Sequence, residues 1–331
     1  MPKKYLIKAF LFVLVAAIAL GFSNWYKQYK NDANVLGQYT FAQTRQNIRR
    51  MAHIRITTAE DGTFNLKREG EYWRFQEAAN YYINTDSLAN LYNMINNSVI
   101  MNVQPGDKKL FSETGLVSPS PKINARDQYK GTRIEIFDTE ENLLDDLIIG
   151  NPLSEGEYHF ARKTDGSYIY NISHVGIFNG LAQSWIPYPL LKLNEGIIES
   201  LVLDGRVLNR QLLHDIKPHL SFIKDLLDSL SFLRYDGIAE FSEFQKTFPD
   251  SKPQNIKVVT PVGLIYNLNI YHTDDSYWLT VYLQMDKIAL KEVSSFIGQN
   301  QKYFQNWVFQ LSPDQGAALY YTQLKDKPDE Q

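Results

Sequence analysis

The amino-acid sequence predicts an α+β protein in which an N-terminal transmembrane helix is followed by two repeated units of antiparallel sheet, each with a packed helix. Three observations predict this fold: a long apolar segment near the start, alternating segments typical of strands in both halves, and one amphipathic helical stripe in each half. They divide the chain of 331 residues into an anchor with its flank (1–30), a stalk (31–52), a first repeat (53–180), a linker (181–196), a second repeat (197–325) and a polar tail (326–331).

The first element is an uncharged segment, 9–22, which lysines precede and which Trp25 and Tyr26 follow. A helix over residues 5–26 would be about 33 Å long, enough to cross a hydrocarbon core of about 30 Å. Trp25 and Tyr26 suit the far interface, where amphipathic rings gather. The segment therefore predicts a retained membrane anchor.

Two alternatives to a retained anchor stay open. The segment also has the length of a signal peptide, and residues 17–19 resemble its small-x-small cleavage site. It could instead be a buried helix of the soluble fold.

Because Lys3, Lys4 and Lys8 lie before the segment, the positive-inside rule keeps that end in the cytoplasm. We therefore expect a single-pass protein of the inner (cytoplasmic) membrane with the bulk of the chain in the periplasm.

Composition excludes some functional classes. Hydrophobic residues make up 44% and charged residues 21%, as in ordinary globular proteins. A net charge of -3 argues against nucleic acid as a partner. The chain contains no cysteine, which excludes disulfides, thiol chemistry and a lipidated cysteine anchor. Aromatic residues reach 13%, which favours β-rich structure.

The first repeat opens with a hairpin, since Asp61-Gly62 separates two alternating segments, 53–57 and 64–68. A third strand is expected at 72–75. A helix follows, whose apolar face is Leu88, Leu91, Tyr92, Ile95 and Val99. Further strands are expected at 133–137, 147–150, 158–162 and 168–170.

The second repeat has the same order of elements. A hairpin is expected at 200–210, then a helix with Leu220, Ile223, Leu226, Leu227 and Leu230 on one face, and then strands at 256–260, 264–270 and 278–283. Under one constant shift, Leu88, Leu91, Met94, Ile95, Ile100 and Met101 fall on Leu220, Ile223, Leu226, Leu227, Phe232 and Leu233. This match predicts an internal duplication, and both stripes are interpreted as core.

Residues that could carry chemistry do not converge. His214 and His219 are five apart, which places them on different faces of a helix, so we expect no metal site. The carboxylate pairs Asp145/Asp146 and Asp274/Asp275 are adjacent in sequence, and adjacent strand residues point to opposite faces. The sequence contains neither a Walker loop nor a Gly-x-Ser-x-Gly nucleophile elbow. We expect no enzyme activity and no cofactor.

The best candidate for a functional surface is the aromatic loop between the repeats, with Trp185, Ile186 and Tyr188. If exposed, it would serve as a docking or sugar-stacking surface. If buried, it would plug the seam between the domains, which is the interpretation that we favour because rings bury well at such seams.

Several segments together resemble the bacterial domain of unknown function 4340 family. They are the apolar start, 54–75, a helix after 83–86, the loop of Thr114, Gly115, Leu116 and Pro119, 133–150, 158–172 and the closing segment 306–327. Asn306 stands where that family has a glycine before Trp307. The resemblance implies an accessory, membrane-anchored subunit facing the periplasm, since members are often encoded beside ABC-type export or gliding-motility components. It supplies no catalytic residues.

We therefore expect a non-catalytic accessory or scaffold protein that binds membrane transporter or envelope subunits. The alternative is a periplasmic ligand- or glycan-binding module, favoured by the aromatic content. A hydrolase would need a converging set of catalytic groups that the sequence does not contain.

Overall fold

The computed structural model of this chain describes residues 35–119, 131–153, 158–176, 178–203, 205–217 and 220–320. The expected anchor (1–30), the start of the stalk (31–34), the end of the second repeat (321–325) and the tail (326–331) lie outside the described residues. No helix in the described part is both long and apolar enough to cross a membrane. The fold is α+β with two antiparallel sheets and helices, as predicted.

The described strands are β1 (Met51–Thr58), β2 (Gly62–Glu69), β3 (Tyr72–Phe75), β4 (Tyr81–Tyr82), β5 (Ile100–Pro105), β6 (Thr132–Asp138), β7 (Leu143–Pro152), β8 (Tyr158–Lys163), β9 (Tyr168–Ser173), β10 (Ser200–Leu203), β11 (Arg206–Asn209), β12 (Gly237–Glu240), β13 (Gln254–Val259), β14 (Leu264–Thr273), β15 (Ser276–Met285) and β16 (Trp307–Leu311).

The described helices are α1 (Ala42–Gln46), α2 (Thr85–Asn97), α3 (Lys108–Glu113), α4 (Arg210–Ile216), α5 (Ser221–Ser231), α6 (Phe241–Thr247), α7 (Lys291–Asn300) and α8 (Pro313–Leu319), with short 3-10 helices at Ile48–Arg50, Ala182–Trp185, Glu195–Ile197 and Gln301–Tyr303.

The chain forms two compact units that are discontinuous in sequence. The first contains Thr85–Ser184 and the described residues before Glu69, and the second contains Glu69–Asn84 and the residues from Trp185 onward. The sequence predicts a continuous first repeat over 53–180, but the hairpin of β3 and β4 belongs to the second unit. Its physical reason is the pair Tyr81 and Tyr82, whose side chains are buried in the second unit's core.

Within the first unit the strand order is β2-β1-β6-β7-β8-β9-β5, and all pairs are antiparallel. The predicted opening hairpin is present, with Thr58 paired to Gly62. Gly62 has φ +72, a left-handed conformation that glycine adopts without strain. Helix α2 buries Leu91 and Ile95, as its apolar stripe predicts, and also Met94, whereas Val99 of that stripe lies beyond the end of the helix at Asn97.

The expected stalk, 31–52, is in its described part a portion of the first unit. Phe41 and Thr44 are fully buried, and Met51 begins β1. Thr40 shares a buried hydrogen bond of 2.8 Å with Ser98. This segment is buried through the apolar ring of Phe41 and through hydroxyl groups that have hydrogen-bond partners. Its polar composition predicts a stalk instead.

The second unit contains a seven-stranded sheet in the order β11-β10-β13-β14-β15-β16-β12. This order matches that of the first unit position by position: an opening hairpin at one edge, a meander, and the third strand beside the last. In both units a helical segment lies, along the chain, between the opening hairpin and the strand that pairs with the last one: α2 lies between β2 and β5, and α4–α5 lie between β11 and β12. The shared topology agrees with the predicted repetition.

The larger of two core clusters in the second unit joins helix α5 to the sheet. Helix α5 contributes Ile223, Leu226, Leu227 and Leu230, and the sheet contributes side chains such as Leu201, Val258, Leu268, Leu279 and Phe309. The expected linker, 181–196, supplies Leu191 and Leu193 to the same cluster. Burying each such leucine is worth about 1.5–3 kcal/mol, so this stripe holds the helix on the sheet.

Two helical glycines of this unit give opposite expectations. A Cβ at Gly316 would overlap the ring of Tyr277, which stacks on His272 with 4.6 Å between centroids. We expect Gly316→Ala to lower the free energy of unfolding by about 1–3 kcal/mol, because overpacking outweighs the helix propensity of alanine. Urea unfolding of the purified chain measures it.

Gly298→Ala in α7 is the matched control, since among the described residues no atom beyond the helix's own neighbouring backbone lies within 4 Å of the added Cβ. We expect this substitution to raise stability by about 0.5–1 kcal/mol. Equal effects of the two substitutions would contradict the packing of α8 against β15.

Candidate binding cleft

A cleft of about 460 Å³ lies within the second unit. It opens where the β3–β4 hairpin meets the start of α6 and the start of β16. Its lining combines one cation, one carboxylate, five other polar side chains and three apolar ones: Arg74, Glu240, Asn80, Ser242, Gln245, Gln305, Asn306, Ala79, Phe241 and Trp307. The volume falls in the range of about 300–1,000 Å³ that is usual for small-molecule sites.

The tyrosine pair of β4 holds the hairpin in place. Tyr81 and Tyr82 are only 2% and 7% exposed, and their rings meet Trp307 edge to face with centroids 5.0 and 5.6 Å away. The Tyr81 hydroxyl donates to the carbonyl of Tyr303 at 2.9 Å. Burial raises the pKa of Tyr81 well above its ordinary value, so this hydroxyl keeps its proton.

A strained turn forms one wall of the cleft. Ala79 and Asn80 have φ of 51° and 56°, a left-handed conformation that costs a residue with a Cβ about 1–2 kcal/mol. The turn aims the Ala79 carbonyl at Trp307, whose Nε1–H donates to it at 3.1 Å. Asn80 is held by its own side chain, which donates to Glu69 at 3.0 Å. Strain of this kind clusters at ligand sites.

Arg74 is the cation of the lining. Its side chain is 15% exposed, and its guanidinium carbon lies 3.6 Å from the ring centroid of Tyr82. The nearest carboxylate is Glu69, with 3.6 Å between Nε and Oε2. Nε and Nη1 are both buried, and within the part of the chain that the structure describes neither has a hydrogen-bond partner. The cation–π contact and the ion pair with Glu69 offset part of the cost of burying this charge.

The opposite wall comes from α6 and the start of β16. The Phe241 N–H donates to the carbonyl of Asn306 at 2.9 Å, which joins the two elements. Phe244 is buried with Tyr271 and Val308 beneath them. The polar side chains of this wall, such as Gln245, therefore stand on an anchored helix.

Hydroxyl and amide groups together with an arginine can hold a polar molecule. Among the described residues of the lining, Glu240 is the single carboxylate and none is a histidine. Hydrolysis of a glycosidic bond in the usual way uses two carboxylates on either side of the bond.

The structure separates the residues of the predicted aromatic loop. Trp185 is fully buried, and Ile186 is half-buried against the core of the second unit. Tyr188 is 52% exposed and packs edge to face on Phe232 at 5.6 Å. The hydroxyl of Tyr235 donates to the carbonyl of Pro187, which holds the loop on the second unit. None of the three predicted residues lines the cleft.

The carboxylate pair of β7 has separate partners, as expected for adjacent strand residues. Asp145 accepts from the Thr44 N–H at 2.7 Å and from its hydroxyl at 2.6 Å. Asp146 accepts from Arg133 at 2.8 and 2.9 Å. Burial raises the pKa of Asp145 above its ordinary value, and the hydrogen bonds from Thr44 offset part of this shift.

The structure describes only some of the remaining candidates from the sequence. His214 lies 3.6 Å from Asp215, and both are exposed, whereas His219 lies outside the described residues. Asp274, with φ of 47°, occupies the turn between β14 and β15. Among the described residues no group of three His, Cys, Asp or Glu could hold a metal ion.

Sequence reasoning missed the residues of the cleft because they come from three distant segments. Arg74 lies on a strand that the sequence predicts, but alternation shows only that it is a strand. The signal that could have found the hairpin's destination is Tyr81-Tyr82, two adjacent aromatics that one sheet face cannot bury together. Nothing local distinguishes Gln305 and Asn306 from an ordinary polar turn.

Comparison of the chain with protein-family models, with curated proteins and with solved structures finds no match.

The buried carboxylate of the first unit makes a pH-dependent prediction. Because the pKa of Asp145 is raised in the folded state, its ionised form lowers the free energy of unfolding at neutral pH. This destabilisation disappears as the pH falls through the folded pKa toward the unfolded value of about 3.9. We expect Asp145→Asn to raise the urea midpoint at pH 7 and to lose that advantage near pH 4.

Asp146→Asn is the matched control on the neighbouring residue. It removes the charge that Arg133 binds with two hydrogen bonds, so we expect it to destabilise the protein by about 1 kcal/mol at pH 7. A lowered midpoint for both variants at pH 7 would contradict the assignment for Asp145.

Proposed function

We propose that this chain is a membrane-anchored accessory protein, which faces the periplasm and binds other molecules without transforming them. The observation that carries the proposal is the lining of the cleft. It offers amides, a hydroxyl and one arginine and, among the described residues of the lining, a single carboxylate, Glu240. Such a set can position a molecule, whereas acid–base chemistry requires a second group matched to the first.

The place of action rests on the N-terminal sequence. The apolar segment 9–22 with its preceding lysines would tether the body to the inner membrane and leave it on the outer side. The resemblance to the domain of unknown function 4340 family implies partners among ABC-type export or gliding-motility components. We accordingly propose membrane transporter or envelope subunits as partners.

A second candidate function is a periplasmic ligand- or glycan-binding module. The specific observation in its favour is the mixture of amide side chains with Trp307 and Phe241 in the cleft. Amides donate to and accept from hydroxyl groups, and aromatic rings cover apolar ring faces, so the mixture suits a sugar.

The topology is testable with two reporters at the C-terminus. We expect a fusion to alkaline phosphatase, which is active outside the cytoplasm, to be active, and a fusion to green fluorescent protein to be dark. The same chain should co-purify from detergent-solubilised membranes with transporter or envelope subunits identified by mass spectrometry.

A chain that begins at residue 31 serves as the control and should leave the membrane fraction. A fluorescent C-terminus would overturn the location, and recovery of the full chain alone would overturn the accessory role. Binding of glycans in a thermal-shift screen, with no partner protein, would favour the second candidate.

A further inference from the structure

An exposed aromatic pair with two cations beside it lies on the second unit. Tyr188 and Phe232 are 52% and 37% exposed, and their rings meet edge to face with centroids 5.6 Å apart. The ammonium of Lys192 and the guanidinium of Arg234 lie 5.7 and 5.6 Å from the centroid of the Phe232 ring. Both cations belong to exposed residues. We call these four residues the cationic–aromatic surface.

The two cations are available to a partner. Within the part of the chain that the structure describes, neither Lys192 nor Arg234 is in an ion pair, and Asp236, two residues after Arg234, does not pair with it. A cation that contacts only an aromatic ring keeps its hydrogen-bond donors for a carboxylate. The chain as a whole has a net charge of -3, so this surface differs in charge from the rest of the molecule.

The surface is held in shape from beneath. Leu191 and Leu233 alternate with its exposed residues, are buried, and pair as an antiparallel bridge in which the Leu233 N–H donates to the Leu191 carbonyl at 2.9 Å. The amide of Gln315 donates to the carbonyl of Phe232 and accepts from the Arg234 N–H, both at 2.9 Å. A partner would therefore meet a surface that needs little ordering, which lowers the entropy cost of binding.

The composition of the surface favours a protein segment over a lipid bilayer. Each basic residue beside an anionic membrane strengthens attachment by about fivefold, so two supply only about 30-fold, and lipid-binding segments normally carry about four to eight. Tyrosine and arginine are instead enriched where proteins contact each other. The half-exposed ring of Tyr188 offers apolar surface for one side chain, and each of the two cations can receive a carboxylate.

We propose that the cationic–aromatic surface docks an acidic linear segment of a partner subunit. Carboxylates of the segment bind Lys192 and Arg234, and an aromatic or aliphatic side chain between them packs on Tyr188. The inference rests on the proposed accessory role and adds the chemical character of the partner. It also gives Tyr188 the docking role that the sequence predicts for this loop where it is exposed.

The test uses the full chain in detergent and a fluorescent synthetic peptide, Ser-Asp-Glu-Phe-Asp-Glu-Ser, whose binding is followed by fluorescence anisotropy. Its counterpart, Ser-Lys-Lys-Phe-Lys-Lys-Ser, keeps the ring and reverses the charge. We expect the acidic peptide to bind at least tenfold more tightly, because only its charge complements the surface. Its affinity should fall as the ionic strength rises from about 0.01 to 0.15 M, since the screening length shrinks from about 30 to 8 Å.

Charge reversal locates the site. We expect the double variant Lys192→Glu/Arg234→Glu to weaken binding of the acidic peptide by at least about tenfold. Lys287→Glu/Lys291→Glu is the matched control, because it changes the net charge equally at two exposed residues outside the surface, and it should alter the affinity by less than about twofold. Tyr188→Ala should weaken binding about threefold to tenfold. All these side chains are exposed, so the urea midpoints should stay close to that of the parent chain.

A label separates the bilayer from the peptide as the occupant. Because the chain contains no cysteine, Asn194→Cys carries a single bimane two residues from Lys192. We expect its emission to be the same in nanodiscs of phosphatidylcholine and in nanodiscs that also contain phosphatidylglycerol, and to shift when the acidic peptide is added. A blue shift caused by phosphatidylglycerol alone would assign the surface to lipid and overturn the proposal.

Four further results would overturn it: no binding of the acidic peptide at about 1 mM, equal affinity for the basic peptide, equal losses in the two charge-reversed variants, or full affinity in Tyr188→Ala. Recovery of transporter or envelope subunits alongside any of these would leave the accessory role intact. Peptide binding without such subunits would overturn the accessory role alone, so the two failures are distinguishable.

Discussion

The second unit depends on the burial of Tyr81 and Tyr82 against Trp307. The pair covers one end of the core, and one of its hydroxyls is satisfied by a backbone carbonyl. The turn before it must then take the left-handed conformation that carries the Ala79 carbonyl to the indole. Arg74 stacks on the same tyrosine ring. The anchored hairpin, its left-handed turn and the stacked Arg74 thus all meet at one aromatic cluster.

The two units have the same strand order and differ in what is attached to it. In the first unit β8 leads into β9 through a short turn, whereas in the second unit α7 lies between β15 and β16. The hairpin 69–84 leaves the first unit after its second strand and completes the second. The candidate site is lined in part by that insertion, through Arg74, Ala79 and Asn80.

Local patterns predicted most of the framework. Alternation around Asp61-Gly62 and the leucine stripe of α5 are properties of neighbouring residues, so the opening hairpin and the helix were confirmed. The sequence could not predict which unit contains β3, because the alternating pattern of Tyr72–Phe75 indicates a strand but not the core against which it packs. Trp185 was selected from the sequence because it is aromatic. Whether its side chain is buried depends on residues that are distant in sequence. The cleft is lined by residues from three separate segments, so no periodic pattern in the sequence indicates it.

The interrupted layout of the second unit has a cost in time. Tyr81 is separated by 222 residues from the carbonyl that its hydroxyl binds. At about 5–20 residues per second, a ribosome needs on the order of 10–45 s to make that stretch. During this interval Tyr81 and Tyr82 cannot pack into the core of the second unit, because that core is not yet synthesised. The nascent chain therefore exposes the apolar β3–β4 hairpin throughout this interval. A holding chaperone would have a defined segment to bind.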